Sequence, residues 1–121
     1  MKCGDIYYLD SMPPLHGGPL KDRRVVIVTE TAEIILTNPI YVVACTSSLK
    51  PEQKGEAVAL PWHPRRGVSS TGFTKETWAV PKWLDEVLPT ELRDYQGYVP
   101  ADKLRQIIAM LPSDPSDGPT A

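Results

Sequence analysis

The chain has 121 residues, of which 41% are apolar and 23% are charged, and its formal net charge is −2. This length fits a single domain with its own hydrophobic core, and the composition is that of an ordinary globular protein. No apolar run approaches the roughly 18 residues of a membrane-spanning helix, and the N-terminal MKCGDIYYLD lacks the apolar stretch of a signal peptide.

Short strands are predicted for the first part of the chain. The 13 prolines favour strands joined by stiff loops over a helical bundle. Runs of strand-favouring residues predict five strands, at 4–10, 24–30, 41–48, 56–61 and 77–80. Pro81 is expected to end the fifth. Residues 24–30 are apolar on both faces, which is typical of a central strand, whereas 31–40 fits either a short helix or a strand.

The helical signals lie in the last part of the chain. Residues 82–95 are predicted to contain one or two short helical turns with the following side chains inward: Trp83, Leu84, Val87 and Leu88. An amphipathic helix is predicted over 100–112, bounded by prolines. Its apolar positions recur at helical spacing: Leu104, Ile107, Ile108 and Leu111. Residues 113–121 are predicted to be a disordered tail, which leaves 1–112 as the domain. Together these elements indicate a mainly β fold, a closed or half-open antiparallel barrel with a C-terminal helix.

The two cysteines are spaced neither as a disulfide framework nor as a zinc knuckle. Cys45 lies inside YVVACT and is interpreted as a small buried apolar residue. Cys3, His16 and His63 do not provide a close pair of ligands, so no zinc site is expected. We therefore expect a reduced, cytoplasmic protein that needs no metal or other cofactor.

A cluster of charges stands at the start of the second predicted strand, where KDRR precedes VVIV. Side chains alternate along a strand, so Arg23 and Arg24 point to opposite faces and at most one is expected to face a given pocket. If the second and third strands are antiparallel neighbours, an arginine at the start of one lies beside Thr46 at the end of the other. A guanidinium beside a hydroxyl suits a phosphate group. Spacing alone equally allows a solvated strand-end charge and an ordinary Thr-Ser-Ser turn.

Several of these pieces occur in an order that resembles the MazF/PemK toxin endoribonucleases. They are GDIYYLD, a loop with proline and glycine, an arginine before VVIV, VVACTSS, then LP, GF, TWAV and a final amphipathic helix. The resemblance extends from residue 4 to about residue 111. It implies a small SH3-like barrel that forms a homodimer, binds a cognate antitoxin protein and cleaves single-stranded RNA without a metal.

The resemblance also implies which residues act on the RNA. The family uses an arginine at the start of the second strand and a threonine or serine ending the third, which correspond here to Arg23 and Thr46. Arg24 stands where the family usually has proline, so Arg23 is the preferred catalytic residue, with Arg24 and Ser47 in possible supporting roles. The implied reaction is attack by the 2′-hydroxyl of the RNA on the adjacent phosphate, giving a 2′,3′-cyclic phosphate and a 5′-hydroxyl.

Further RNA contacts are expected from basic and aromatic residues in two loops. The loop WHPRRGVSSTGFTK combines aromatic rings, on which bases stack, with cations that neutralise phosphates. Phe73 is counted among those rings. The expected RNA-binding residues are His16, Lys21, Trp62, His63, Arg65, Arg66 and Lys75. A mobile basic loop without function and solvent-exposed histidines are the alternatives.

Two other functions stay open at this point. Barrels of this shape also include CcdB-like toxins, which inhibit gyrase through a protein contact made by the C-terminal helix and would not need Arg23 or Thr46. A non-catalytic small barrel that binds RNA or protein is the third reading. Incubation of the purified protein with RNA in the absence of metal discriminates among these three functions.

Overall fold

The computed structural model of the protein describes residues 1–14 and 20–112. The strands are β1 (Asp5–Met12), β2 (Lys21–Ile27), β3 (Ile40–Thr46), β4 (Val58–Leu60), β5 (Thr77–Val87) and β6 (Leu92–Tyr98). The helix α1 spans Ala101–Ala109, and 3₁₀ turns span Thr31–Glu33, Pro51–Glu56 and Pro89–Glu91. Among these elements there is no helix of the length and apolarity that crossing a membrane requires. The predicted tail at 113–121 lies outside the described residues.

The strands form one curled antiparallel sheet in the order β4–β5–β3–β2–β1–β6. β2 and β3 are central, and alternate residues of β2 enter different apolar clusters. Val26 packs in a cluster that includes Phe73 and Ile107 of α1, whereas Val25 packs in a cluster with Leu9 and Val87. The strand is therefore apolar on both faces, as its sequence predicted.

The connection between β4 and β5 reaches across to β6, at the other edge of the sheet. The backbone N–H of Tyr98 donates to the carbonyl of Ser70 at 2.9 Å. Gly97, with φ of +148°, permits this approach, because a Cβ at this position would lie 2.1 Å from the same carbonyl oxygen. The curled sheet is thus held as a half-barrel, and the predicted mainly β barrel fold is confirmed.

The prediction that Pro81 ends the fifth strand was wrong. β5 continues to Val87 because the β3–β5 register shifts between Val43 and Cys45, so that Pro81 falls in an irregular stretch where its missing N–H breaks no regular ladder bond. β6 was also missed, so the sheet has six strands rather than five. The helical turn predicted in this segment is present as Pro89–Glu91.

The C-terminal helix is confirmed over Ala101–Ala109, shorter than predicted. Ile107 is fully buried, and Leu104 and Leu111 pack against the same cluster, but Ile108 is 45% exposed. Four side chains were expected to point inward in residues 82–95. Of these, Leu88 is exposed, whereas Trp83, Leu84 and Val87 are buried or half-buried. The ambiguous segment 31–40 contains a 3₁₀ turn and the first residue of β3.

Candidate active site

The antiparallel pairing of β2 with β3 brings Arg23 and Thr46 together. Val25 pairs with Ala44 and Val26 with Val43. Continuing this register by two residues places Arg23 opposite Thr46, and strand alternation puts both on the face that carries Val25. Both residues line two pockets at this end of the strands.

The two pockets share four lining residues: Asp22, Arg23, Thr46 and Ser47. The smaller pocket has a volume of about 250 Å³ and also contains Arg24 and Lys75. The larger pocket has a volume of about 530 Å³ and extends past Lys21 and Trp83. Both arginines line the smaller pocket, so the expectation that only one could face a given pocket was wrong. The smaller pocket lies beyond the last β2–β3 pair, at the end of the sheet, so side chains from both faces of β2 line it.

The guanidinium of Arg23 is held against an aromatic ring. It lies 4.5 Å from the centre of the Trp83 ring. The indole N–H of Trp83 donates to the carbonyl of Pro13 at 2.7 Å. Trp83 therefore fixes the arginine and also ties β5 to the chain that follows β1, and a stack of this kind limits the rotamers that Arg23 samples.

Arg24 is held separately, on the opposite face of β2. Its Nε donates to the hydroxyl of Tyr8 at 3.2 Å, and its guanidinium lies 5.5 Å from the Tyr8 ring and 5.1 Å from the Phe73 ring. Cys45 lines the smaller pocket together with Arg24. Burial raises the pKa of the Cys45 thiol to about 12, although the charge of Arg24 acts to lower it. The thiol is therefore protonated at neutral pH and is not a nucleophile.

The hydroxyl groups at the end of β3 complete the shared wall of the pockets. Thr46 is 9% exposed, and its Oγ1 accepts a hydrogen bond of 3.1 Å from the N–H of Ser48. Accepting this bond leaves the hydroxyl proton of Thr46 available for donation to a ligand. Ser47 is exposed beside it.

Asp22 is a site residue that the sequence reasoning missed. It lines both pockets and is the only carboxylate of the smaller one among the described residues. It sits at an irregularity in the β1–β2 pairing: Leu9 pairs with Arg23 and Met12 with Lys21, so two residues of β1 oppose Asp22 alone. Such bulges redirect side chains next to functional sites. Its position immediately before Arg23 was the available signal.

Arg93 of β6 binds the carboxylates around this bulge. Its Nη2 lies 2.7 Å from Asp10 and 3.6 Å from Asp22, and its Nη1 lies 2.5 Å from Asp94. Hydrogen bonds to Asp10 and Asp94 raise the pKa of Arg93 above its ordinary value. Asp22 is thus held at the pocket rim by an arginine that is itself paired mainly with other carboxylates.

The expected RNA-binding residues divide into two groups. Lys21 lines the larger pocket and Lys75 the smaller one. The remaining described ones line neither pocket and are exposed on the β4–β5 connection: Trp62, His63, Arg65 and Arg66. Phe73 is 1% exposed and belongs to the core, so the expectation that it offers a stacking surface was wrong. His16 lies outside the described residues.

Potential metal ligands do not cluster in the part of the chain that the structure describes: no group of three or more histidine, cysteine or acidic side chains is placed to hold an ion. The functional groups of the two pockets include cations, hydroxyls, the shared carboxylate of Asp22 and, in the larger pocket alone, the carboxylate of Glu56, which pairs with Lys82 at 2.8 Å. This set can bind a phosphate, stabilise added negative charge on it and accept a proton.

The fold is similar to that of several solved toxins. No protein-family model and no curated protein matches the sequence. MazF (Form-I) from Deinococcus radiodurans superposes with a TM-score of 0.68 at 20% identity over 92% of each chain. The MazE–MazF complex (Form-III) from the same organism gives 0.64 at 21% identity, again over 92% of each chain. An endoribonuclease in complex with its cognate antitoxin from a Mycobacterial species gives 0.58 at 20% identity, over 94% of this chain and 97% of that one. The chain has the MazF fold.

Proposed function

We propose that this protein is the toxin of a toxin–antitoxin pair and cleaves single-stranded RNA without a metal, leaving 2′,3′-cyclic phosphate and 5′-hydroxyl ends. The observation that supports it most is the joining of Arg23 and Thr46 at the ends of β2 and β3, where both line two adjoining pockets. The MazF fold supports the same function, since the similar structures are a MazF, a MazE–MazF complex and an endoribonuclease bound to its antitoxin.

The reaction needs little from the protein because its nucleophile belongs to the substrate. The 2′-oxygen forms a bond to phosphorus as the bond to the 5′-oxygen breaks, and negative charge grows on the phosphoryl oxygens. Arg23, held by Trp83 at 4.5 Å, stabilises that charge without first having to be ordered. Thr46 donates its hydroxyl to a phosphoryl oxygen.

Two proton transfers accompany the displacement. A guanidinium group stays protonated and is a poor base, so we assign acceptance of the 2′-hydroxyl proton to Asp22, the carboxylate that lines both pockets. The departing 5′-oxygen takes up a proton, for which Arg23 is the donor at the wall shared by the two pockets.

The partners follow from the same comparison. MazE binds MazF in the Deinococcus radiodurans complexes, and the mycobacterial endoribonuclease is bound to a cognate antitoxin. We propose that this chain likewise binds an antitoxin, and we propose separately that it forms a homodimer in the cytoplasm. An acidic antitoxin segment laid over Lys21, Arg23 and Lys75 competes with RNA for the same cations.

The test is end mapping of RNA incubated with the purified protein in the presence of a chelator. A mixed-sequence RNA is expected to be cut at specific sites, with every product carrying a 2′,3′-cyclic phosphate or a 5′-hydroxyl. Products with 5′-phosphate ends would refute the proposed chemistry. RNA that is bound but stays intact would instead support a non-catalytic binding module, and neither cleavage nor binding would favour the gyrase-directed alternative.

A further inference from the structure

Arg24 is a half-buried cation whose charge has no carboxylate partner among the described residues. Arg93, by contrast, lies within ion-pair distance of three carboxylates. Partial burial removes water from a charged group, so an arginine in this state without an ion pair is costly unless it receives an anion. Arg24 lines a pocket that also contains two cations, Arg23 and Lys75, and a single carboxylate, Asp22, so positive charges outnumber negative ones there. The pocket therefore attracts negative charge.

The guanidinium of Arg24 is held in a defined orientation by two aromatic side chains. Its Nε is engaged by the Tyr8 hydroxyl at 3.2 Å, and the rings of Tyr8 and Phe73 lie 5.5 Å and 5.1 Å away. With Nε engaged in this way, the two Nη groups remain as donors for a ligand. A planar pair of N–H donors in a fixed orientation is the arrangement that binds a phosphate.

The two arginines of the smaller pocket are held by different walls. Arg23 stacks on Trp83, which lines the larger pocket, whereas the Tyr8 and Phe73 rings around Arg24 line only the smaller one. The two residues also start from opposite faces of β2. The two guanidinium groups are therefore held by separate ring contacts, which favours a separate phosphate for each.

We infer that Arg24 and Lys75 bind a second phosphate of the RNA backbone, next to the one that is cleaved. The inference rests on the proposed function for the identity of the cleaved phosphate at Arg23 and Thr46. The flanking phosphate lies in the smaller pocket. The larger pocket beside Trp83 is left for the nucleotide on the other side of the cleaved phosphate. The substrate must then be longer than a dinucleotide, which has only the cleaved phosphate.

The experiment combines a protein variant with a substrate change. Arg24→Met keeps an unbranched apolar stem between the two rings and removes the charge. The RNAs share one sequence and carry a neutral methylphosphonate at one or the other of the two phosphates that flank the cleaved one. Cleavage is measured on these RNAs. Affinity is measured on versions that also contain a 2′-deoxy nucleotide at the cleavage site, which blocks cleavage. On unmodified RNA, Arg24→Met should weaken binding by about ten- to a hundredfold and reduce the salt-dependence slope by about one.

The decisive result is the loss of that effect on one modified RNA. With the methylphosphonate at the contacted position, wild type and Arg24→Met should bind and cleave equally, whereas neutralising the other flank should preserve their difference. Arg105→Met, the same charge change on exposed α1, is the control and should behave as wild type on every RNA. Tyr8→Phe, which keeps the ring and removes the hydroxyl, should weaken binding at the same position by a smaller factor.

An Arg24→Met defect of equal size on all RNAs would overturn the inference, because it would place Arg24 on the cleaved phosphate or in a structural role. If Arg24→Met does not fold, Tyr8→Phe provides the same comparison across the modified RNAs. If the wild type does not cleave RNA but its binding depends on Arg24 at one flanking phosphate, the proposed nuclease function is refuted and the proposed phosphate site is supported.

Discussion

The molecule presents cations and aromatic rings in two regions that differ in how the cations are held. At the ends of β2 and β3, Arg23 and Arg24 are each fixed against rings inside pockets. On the β4–β5 connection, Arg65 and Arg66 are exposed, and the neighbouring Trp62 is 45% exposed. Both regions carry a pair of adjacent arginines, but only the first region gives its charges a defined position.

The exposed loop is nevertheless anchored at its base. The Thr71 hydroxyl donates to the carbonyl of Pro61 at 2.7 Å, and the His63 N–H donates to the carbonyl of Phe73 at 3.1 Å. Thr71 and Phe73 are buried, so the connection closes the barrel while its outer part stays in solvent. Fixed charges lower a barrier because they need no reorganisation, whereas exposed ones mainly steer a polyanion to the surface. We therefore expect the pockets to govern the rate of cleavage and the exposed loop to govern how fast RNA reaches the protein.

The largest expected effect comes from Arg23→Ala. Removing a fixed donor to the phosphoryl oxygens should lower the single-turnover cleavage rate by about a thousandfold. Circular dichroism should show an unchanged fold, because the side chain lies at a strand end and only its stack on Trp83 is lost. Full activity in a folded variant would remove Arg23 from the catalytic machinery.

Asp22→Ala should have the next largest effect. Loss of the proton acceptor should slow cleavage by about a hundredfold, and added formate should restore part of the rate. Asp10→Ala is the matched control, because Asp10 also binds Arg93 but lines neither pocket. If both variants lose the same activity, the network around Arg93 matters for structure and Asp22 is not the base.

Reversing charge in the exposed loop should have the smallest effect. The double substitution Arg65→Glu and Arg66→Glu should raise the KM for RNA severalfold and flatten the salt dependence of KM, while kcat stays at the wild-type value. The measurement is steady-state cleavage at several salt concentrations. A large fall in kcat would show that the loop takes part in chemistry, and an unchanged KM would place it outside the RNA path.

The parts of the site that sequence predicted are those set by local rules. Alternation along β2 is visible in the chain, and once β2 and β3 are taken as antiparallel neighbours it brings an arginine beside Thr46. The choice of Arg23 over Arg24 came from the family resemblance. The apolar runs of these strands made their central position predictable as well. The same locality explains the C-terminal helix, whose apolar spacing indicated its buried side at Leu104, Ile107 and Leu111 but not at the exposed Ile108.

The parts that sequence did not predict depend on irregular pairing. Trp83 reaches Arg23 only because β5 continues beyond Pro81 through a shift in register. Asp22 is at the pocket rim because two residues of β1 oppose it. Phe73, counted as an exposed ring from its loop composition, is buried by the closure of the barrel. A register shift is decided by the fit of distant strands, so composition and periodicity do not reveal it.

The central claim is that the RNA supplies its own nucleophile at the shared wall of the two pockets. A single 2′-deoxy nucleotide placed immediately 5′ of a mapped cleavage site tests it most directly. Cleavage at that bond should disappear while affinity for the RNA and cleavage at other sites are retained. Cleavage of the 2′-deoxy bond at the unmodified rate would contradict it, because another nucleophile would then be at work.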